Sequence, residues 1–458
     1  MNHRQTKVNV LDGSITKNLL ILAWPVLVGM FLQTSFNIVD TYFIGKINPF
    51  ALAGIGLSFP VMFCVFSLAA GLSIGGGALI AQGVGAKRFR QADQVAEHLL
   101  VLAFVISLVL SAIGIIYAEP IFRAIGADDS TIPYVLDYIK IIFLSMPFIM
   151  FTFAGSAIMQ AEGDTKTPMK IMGAGVLVNI VLDPIFIFGW GIVPPMGVKG
   201  AALATAFARG IALILIFHHF AMGKSLVKPM LRGLRLKLSI IRDILYIGVP
   251  ASLTQLSVAL WLLIMNYFVS GFGPYAVAAF GVGLRVDSFG IMLTHGLAAA
   301  VLTIVGQNIG AGNYRRAEKT VWKALGIGFI SMQSIGFFFM AFSYDIISVF
   351  NDHPDVISIG GGYLWIMGLV YVFPAIMIII SSAFQGAGDS RPGMIFTIFR
   401  VVIIAVPGAI ILSKIYGLDG IWYAMAGSGV ITGAIALVWF KVWIRKKART
   451  LAAIETPQ

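Results

Sequence analysis

The chain has 458 residues, of which 59% are hydrophobic and only 11% are charged. A soluble globular domain carries roughly a quarter charged residues, so this composition excludes a soluble domain and indicates a chain embedded in lipid. The net charge of +12 would suggest nucleic acid as a partner of a soluble protein, but here the basic residues lie between apolar runs, and no nucleic-acid binding is expected. The only cysteine, Cys64, excludes an intrachain disulfide and a thiolate metal site.

Hydropathy predicts about twelve transmembrane helices, because a span needs about 20 apolar residues and must satisfy its own backbone polar groups in lipid. The polar first eighteen residues lack the apolar core of a secretory signal, so the first run is expected to stay as a helix. In chain order the predicted spans are roughly 18–44, 53–83, 95–117, 134–160, 168–190, 199–220, 241–270, 276–307, 320–342, 357–385, 393–413 and 418–440.

The distribution of basic residues predicts the orientation of these spans. With the N-terminus in the cytoplasm, 24 of the 32 Lys and Arg fall on the cytoplasmic side and four lie within spans. Only Lys46, Arg123, Lys199 and Lys414 fall on the opposite side. We therefore expect a multi-pass protein of the cell membrane with both termini in the cytoplasm.

An internal repeat relates the two halves of the chain at a constant shift of 225 residues (Gln82 to Gln307). Each half contains six predicted helices, an even number, so both halves have the same orientation in the membrane. Paired segments that match at this shift are QGVGA at 82–86 with QNIGA at 307–311, QAEGDTK at 160–166 with QGAGDSR at 385–391, and Pro25 with Pro250.

The repeat predicts an all-α integral membrane protein of two parallel six-helix lobes. The expected divisions are an N-terminal lobe (1–220), a cytoplasmic linker (221–240), a C-terminal lobe (241–445) and a cytoplasmic tail (446–458). The linker is basic and amphipathic, which is equally compatible with a helix on the membrane surface and with a plain tether. We expect a monomer without a cofactor.

Two carboxylates lie within predicted spans, Asp40 in the first and Asp183 in the fifth. Such a residue costs about 2.5–3.5 kcal/mol on insertion scales, so it needs a partner, a water-filled cavity or a function. Asn37 and Asn179 precede them by three and four residues and would share their helix faces. Together these side chains offer oxygen ligands for a sodium ion, with Asp40, Asn179 and Asp183 as ligands. In a low-dielectric cavity the acids could instead bind a proton. The alternative is that both are solvated near helix ends.

Three further residues are candidates beside these acids. Thr205 on the sixth helix could add a hydroxyl ligand. Tyr138 could contact the acids, although its position at the start of the fourth helix favours an interfacial aromatic. Pro25 could allow the first helix to bend, or could simply occupy the first helical turn.

The second half does not repeat the two acids, since Met265 and Gly408 stand at the equivalent positions. Its charges within spans are Arg285, Asp287 and Arg400. Arg285 and Asp287 are two residues apart and do not face each other on a helix. We expect a structural ion pair of Asp287 with Arg400 or His295.

The duplication, the Asn37–Asp40 and Asn179–Asp183 pairs and the repeated glutamine–glycine segments together resemble the multidrug and toxic compound extrusion (MATE) family, over about residues 15 to 440. The resemblance implies a V-shaped, alternating-access antiporter that exports amphipathic, often cationic, compounds in exchange for sodium ions or protons. The acids in the first half resemble the DinF-like branch. The lack of acids in the seventh and tenth helices departs from the NorM-like branch and argues against a second ion site in the C-terminal lobe.

Other function classes fit the sequence less well. A lipid-linked precursor flippase of the same superfamily would need several basic residues in one cavity, whereas Lys140, Arg209, Arg285 and Arg400 are spread over both halves. An enzyme is not expected, because no HExxH motif, nucleophile elbow or phosphate-binding loop occurs in context. A receptor or channel is disfavoured by the duplication, which suits movement around a central site.

Overall fold

The computed structural model describes residues 8–229 and 235–452, with the backbone alone for 447–452. The helices of the first half are α1 (Ile15–Gly45), α2 (Pro49–Gly85), α3 (Phe89–Ile116), α4 (Ala118–Ile125), α5 (Ile132–Leu144), α6 (Met146–Ala161), α7 (Lys166–Phe188) and α8 (Val198–Ala221). The helices of the second half are α9 (Leu238–Ser270), α10 (Pro274–Gly310), α11 (Tyr314–Ala341), α12 (Ser343–Ser348), α13 (Pro354–Leu369), α14 (Val372–Gly386), α15 (Arg391–Ile398), α16 (Val406–Tyr416) and α17 (Leu418–Ala452). A π-helical segment, Phe399–Ala405, joins α15 to α16.

Length and composition allow ten helical segments of the described chain to cross a membrane. The number rises to twelve when the bent pairs α5–α6 and α13–α14 each count as one span. The all-α membrane architecture expected from hydropathy is therefore confirmed. The sequence did not reveal the bends, which measure 49° in the first pair and 53° in the second.

Each bend is supported by a side chain from a neighbouring helix. Pro147 has no N–H, so the Phe143 carbonyl four residues earlier lacks its helical partner. The Ser111 hydroxyl on α3 donates to that carbonyl at 2.5 Å. In the second half, the Gln333 side-chain amide on α11 donates to the Gly368 carbonyl at 2.9 Å. In lipid, a freed backbone carbonyl needs such a donor, so the bends are built into the packing.

The described residues separate into two compact units, one formed by Trp24–Ser252 and the other by Asn9–Ala23 with Leu253 onwards. The first unit has a hydrophobic core built mainly by α2, α3, α5 and α6. The second has an equivalent core built mainly by α10, α11, α13 and α17. Unlike the expected lobes, the units divide α1 and α9 near the prolines of the repeat, Pro25 and Pro250.

The linker of the first unit is held by hydrogen bonds to buried side chains. Glu162 accepts from the Ser225 hydroxyl at 2.8 Å and from the Val227 N–H at 2.9 Å. Further along, the Lys237 N–H donates to His98 Nε2 at 2.8 Å. Burial raises the pKa of Glu162 to about 7, although these donors oppose the shift. The described linker residues before Leu238 form no helix beyond the end of α8, and the remainder of the expected surface helix lies outside the described residues.

We expect Glu162→Ala to destabilise the attachment of the linker by about 1–3 kcal/mol, because Ser225 and Val227 would be left as buried donors without an acceptor. In detergent-solubilised protein, trypsin should then cleave the basic linker about tenfold faster, as a 1.4 kcal/mol change in local opening implies. Glu119→Ala is the matched control, since Glu119 forms an exposed pair with Arg123 and contributes little to stability. Equal cleavage of the two variants would contradict this attachment.

Candidate functional site

Five of the residues singled out in the sequence lie inside the first unit, on four different helices. Asp40 lies on α1, Tyr138 on α5, Asn179 and Asp183 on α7, and Thr205 on α8. Tyr138 is half-buried. The other four are buried, and Asn179 and Asp183 have no exposed surface.

The close packing of α7 against α8 depends on the glycine at the start of α8. Gly197 precedes that helix with a positive φ of 56°, a conformation that glycine adopts without strain. At Gly200 a Cβ atom would clash with the Phe186 backbone of α7. The Gly-x-x-Gly segment therefore sets the approach of α8, the helix that carries Thr205, to α7, the helix that carries Asp183.

The two acids each contact a polar neighbour and interact with each other. The Asn179 side-chain amide donates to Asp183 Oδ1 at 3.0 Å. The Tyr138 hydroxyl donates to Asp40 Oδ2 at 3.4 Å, so this tyrosine contacts the acids and is more than an interfacial aromatic. Asp40 and Asp183 interact electrostatically, although they lie 143 positions apart in numbering (40 to 183). The structure thus brings the predicted acids together.

Four buried oxygen atoms of these residues have no hydrogen-bond partner among the described residues. They are Asp40 Oδ1, Asn179 Oδ1, Asp183 Oδ2 and Thr205 Oγ1. A buried acceptor without a donor costs free energy, so such a set needs an explanation. Carboxylate, amide and hydroxyl oxygens are the ligands preferred by hard cations, and the carboxylates can also take up protons. These atoms therefore fit a sodium ion, or protons on the two acids.

Asn37 does not join this cluster, contrary to the expected pairing with Asp40. Its side chain is exposed, and its amide oxygen accepts from the Gln33 side chain at 3.4 Å. Residues three apart on a helix are offset by about 60°, which places Asp40 in the packed interior and Asn37 at the surface of the unit. The role predicted for Asn37 as an ion ligand is not supported by this geometry.

A buried arginine on α8 lies one helical turn from Thr205 and was not selected from the sequence as part of the site. Arg209 donates to Gln33 Oε1 at 2.9 Å and lies over the Phe36 ring, 5.3 Å from its centroid. It interacts electrostatically with Tyr138. The i, i+4 spacing from Thr205 is the signal that could have found it. Arg209 also lines a small cavity with Phe36, Thr152, Ser156, Met172 and Val176.

The ion pair expected in the second unit is absent from the described residues. Asp287 accepts a hydrogen bond from the Tyr363 hydroxyl. Arg400 instead donates to Ser428 Oγ at 3.3 Å and stacks on the Trp261 ring. His295 binds a carbonyl of its own helix at 3.1 Å. The prediction failed because the partners of buried side chains depend on helix packing that spacing along the chain does not give.

Comparison with known proteins decides the family. A model of the MatE family matches the chain twice, over residues 25–185 and 250–411. The chain belongs to the MATE family. The two matches begin at Pro25 and Pro250, so they coincide with the internal repeat, and the resemblance drawn from the motifs is confirmed.

Relatives of this MATE chain cover almost its whole length. The probable multidrug resistance protein NorM of Thermotoga maritima is 29% identical, over 93% of this chain and 92% of that protein. The FAD transporter of Shewanella oneidensis is 27% identical, over 93% of this chain and 94% of that protein. A crystal structure of MATE in the bent conformation superposes with a TM-score of 0.91 at 29% identity, covering 97% of this chain and 98% of that one. The chain is therefore a membrane transporter of a family with multidrug resistance proteins.

Proposed function

We propose that this MATE chain is a secondary active antiporter that exports amphipathic organic cations in exchange for sodium ions or protons. The observation that carries the proposal is the set of four buried oxygens on Asp40, Asn179, Asp183 and Thr205 that lack donors. A transporter driven by an ion gradient needs a site that binds the ion in one part of the cycle and releases it in another. Two interacting acids in one lobe provide such a site, as in the DinF-like branch.

The basic residues argue against a lipid-linked precursor flippase. A pyrophosphate group would need several guanidinium or ammonium groups converging on one cavity. Lys140 and Arg285 are exposed, and Arg400 is engaged by Ser428 and Trp261. Arg209 alone is buried beside a cavity. The relative named FAD transporter makes a dianionic substrate the second candidate to be tested.

The orientation and state of assembly belong to the same proposal. The excess of Lys and Arg places both termini in the cytoplasm of a cell-membrane protein. We propose a monomer, because the ion-binding residues all lie within one unit of one chain.

Export from proteoliposomes tests the proposal. Sodium and proton gradients are imposed separately, and release of a fluorescent organic cation is measured with FAD as a second substrate. We expect at least one gradient to accelerate export of the cation about tenfold or more over gradient-free vesicles, since a tenfold concentration gradient corresponds to about 1.4 kcal/mol. Export of FAD alone would favour the second candidate. No response of either substrate to either gradient would contradict coupled export.

A further inference from the structure

Both units hold a buried aspartate against the same tyrosine of the repeat. Tyr138 and Tyr363 are equivalent at the shift of 225 residues, and each donates to an aspartate oxygen. The aspartates come from different helices, however: Asp40 from α1 and Asp287 from α10. The feature common to both halves is therefore the tyrosine–carboxylate contact, and the helix that supplies the acid differs.

The exchange is reciprocal between aspartate and methionine. The second-half equivalent of Asp40 is Met265, and the first-half equivalent of Asp287 is Met62. Both methionines are buried in the hydrophobic core of their own unit, where the equivalent tyrosine also packs. The fold thus accepts methionine at either position, so packing alone does not require an acid at residue 287.

Two glycines adapt α10 to the tyrosines around Asp287. A Cβ at Gly283, four residues before the acid, would clash with the ring of Tyr363, and one at Gly290, three residues after it, would clash with the hydroxyl end of Tyr371. Tyr371 donates to the backbone carbonyl of Asp287 at 3.0 Å. The first-half equivalents of the two glycines are serine and valine, at residues 58 and 65. The site is therefore built into the second unit and is not inherited from the repeat.

Asp287 carries a carboxylate without a cationic partner among the described residues. Its Oδ2 accepts from Tyr363, and its Oδ1 is buried without a donor. The groups that face it from the packed elements are the phenols of Tyr363 and Tyr371, while Arg400 is bound to Ser428 and interacts only electrostatically with Tyr363. On α10 itself, Arg285 is exposed and His295 is bound to its own helix.

The number of free oxygens identifies the occupant. A hard metal cation needs several oxygen ligands, and only one free carboxylate oxygen is present at Asp287. The next unpartnered oxygen on this helix, in Thr294, is seven residues away, about 10 Å along the axis. A proton needs a single oxygen and neutralises the buried charge. This contrasts with the four free oxygens around Asp40 and Asp183.

We propose that Asp287 is a second proton-binding site of the transport cycle, in the C-terminal half, with Tyr363 as its positioning residue. This reverses the expectation of a single site in the first half, and it rests on the proposed antiport function. The acids of the first unit bind the ion that drives export, and Asp287 adds a proton whose binding depends on pH. Export driven by a sodium gradient therefore also depends on pH through Asp287.

The experiment compares wild type, Asp287→Asn and Tyr363→Phe as full-length protein in proteoliposomes and in detergent. Asparagine preserves the size and the acceptor for Tyr363 but cannot ionise. Proton uptake is followed with a trapped pH dye during export, and carboxyl protonation by infrared difference spectroscopy. We expect Asp287→Asn to lose one titrating carboxyl band, to flatten the pH profile of export and to slow proton-driven export about tenfold. Substrate binding should stay within about twofold.

Tyr363→Phe keeps the ring packing and removes one hydrogen bond to the carboxylate. We expect it to retain the carboxyl band and to shift its pH midpoint by about one unit. Asp345→Asn, an exposed acid of the same unit, is the matched control and should behave as wild type. An unchanged carboxyl band and pH profile in Asp287→Asn would overturn the proposal. If wild type failed to export while the Asp287 band still titrated, the antiport function would be wrong and the proton site would stand.

Discussion

Replacing Asp40 with asparagine is expected to reduce gradient-driven export at least about 100-fold, while the protein still inserts and binds its substrate. Asparagine fills the same volume and can still accept from Tyr138, but it cannot ionise, bind a proton or neutralise a sodium ion. Asp183→Asn should have the same effect, because the two acids interact electrostatically and share the unpartnered oxygens of the site. The double variant should be no worse than either single one, as expected for residues that act as a unit.

The measurement is export of a fluorescent cation from proteoliposomes, with substrate binding in detergent as a separate readout. Asp137→Asn is the matched control, because Asp137 lies on the same unit, is half-exposed and pairs with Lys199 at 3.3 Å. It should export at close to the wild-type rate. Export at the normal rate by either Asp40→Asn or Asp183→Asn would show that the coupling ion binds elsewhere.

The spans were predictable because lipid requires long apolar helices, and this requirement is visible in composition alone. The bends were not, since they depend on donors from other helices. Ser111 and Gln333, which satisfy the freed carbonyls, are separated from them by more than 30 residues. The π-helical segment of the second half was missed for a related reason. It widens a helix whose first-half equivalent, α7, is regular, so neither hydropathy nor the repeat predicts it.

The acids of the site were predictable because ionisable residues are costly in a membrane and stand out in apolar runs. Their partners were less so. Spacing along a helix found the Asn179–Asp183 bond but wrongly paired Asn37 with Asp40. Tyr138 was underrated, because a tyrosine at a helix end has two common roles that sequence does not distinguish. The equivalence of Tyr138 and Tyr363 was present in the repeat, and its meaning emerged only when each was seen to bind an aspartate.

Pro25 is the second residue whose replacement should strongly affect transport. It is the eleventh residue of α1 (Ile15–Gly45), so it lies well inside the helix and not in its first turn. Without an N–H it leaves the Ile21 carbonyl without its helical donor, which permits a bend. The division between the two compact units falls between Ala23 and Trp24, next to this proline. A helix shared by two units needs a flexible point near the division if the units move separately.

We therefore expect Pro25→Ala to slow export about tenfold while substrate binding changes less than about twofold. Alanine restores the missing hydrogen bond and stabilises the straight helix by up to about 3 kcal/mol, which exceeds the 1.4 kcal/mol that a tenfold change in rate requires. Pro60→Ala is the matched control, since Pro60 is also inside a helix but lies within one unit. Pro250→Ala should resemble Pro25→Ala, because Pro250 lies beside the equivalent division of α9.

Spin labels on α1 measure the bend directly. After replacement of the exposed Cys64, labels at the exposed residues Leu20 and Thr34 lie about 21 Å apart along a straight helix and span the proline. The distance distribution of the wild type should be broad, and that of Pro25→Ala narrow and centred on the straight-helix value, because the restored hydrogen bond removes the bent form. An unchanged distribution together with an unchanged export rate would exclude Pro25 as a hinge. A narrowed distribution with normal export would show that α1 bends at Pro25 but that transport does not depend on the bend.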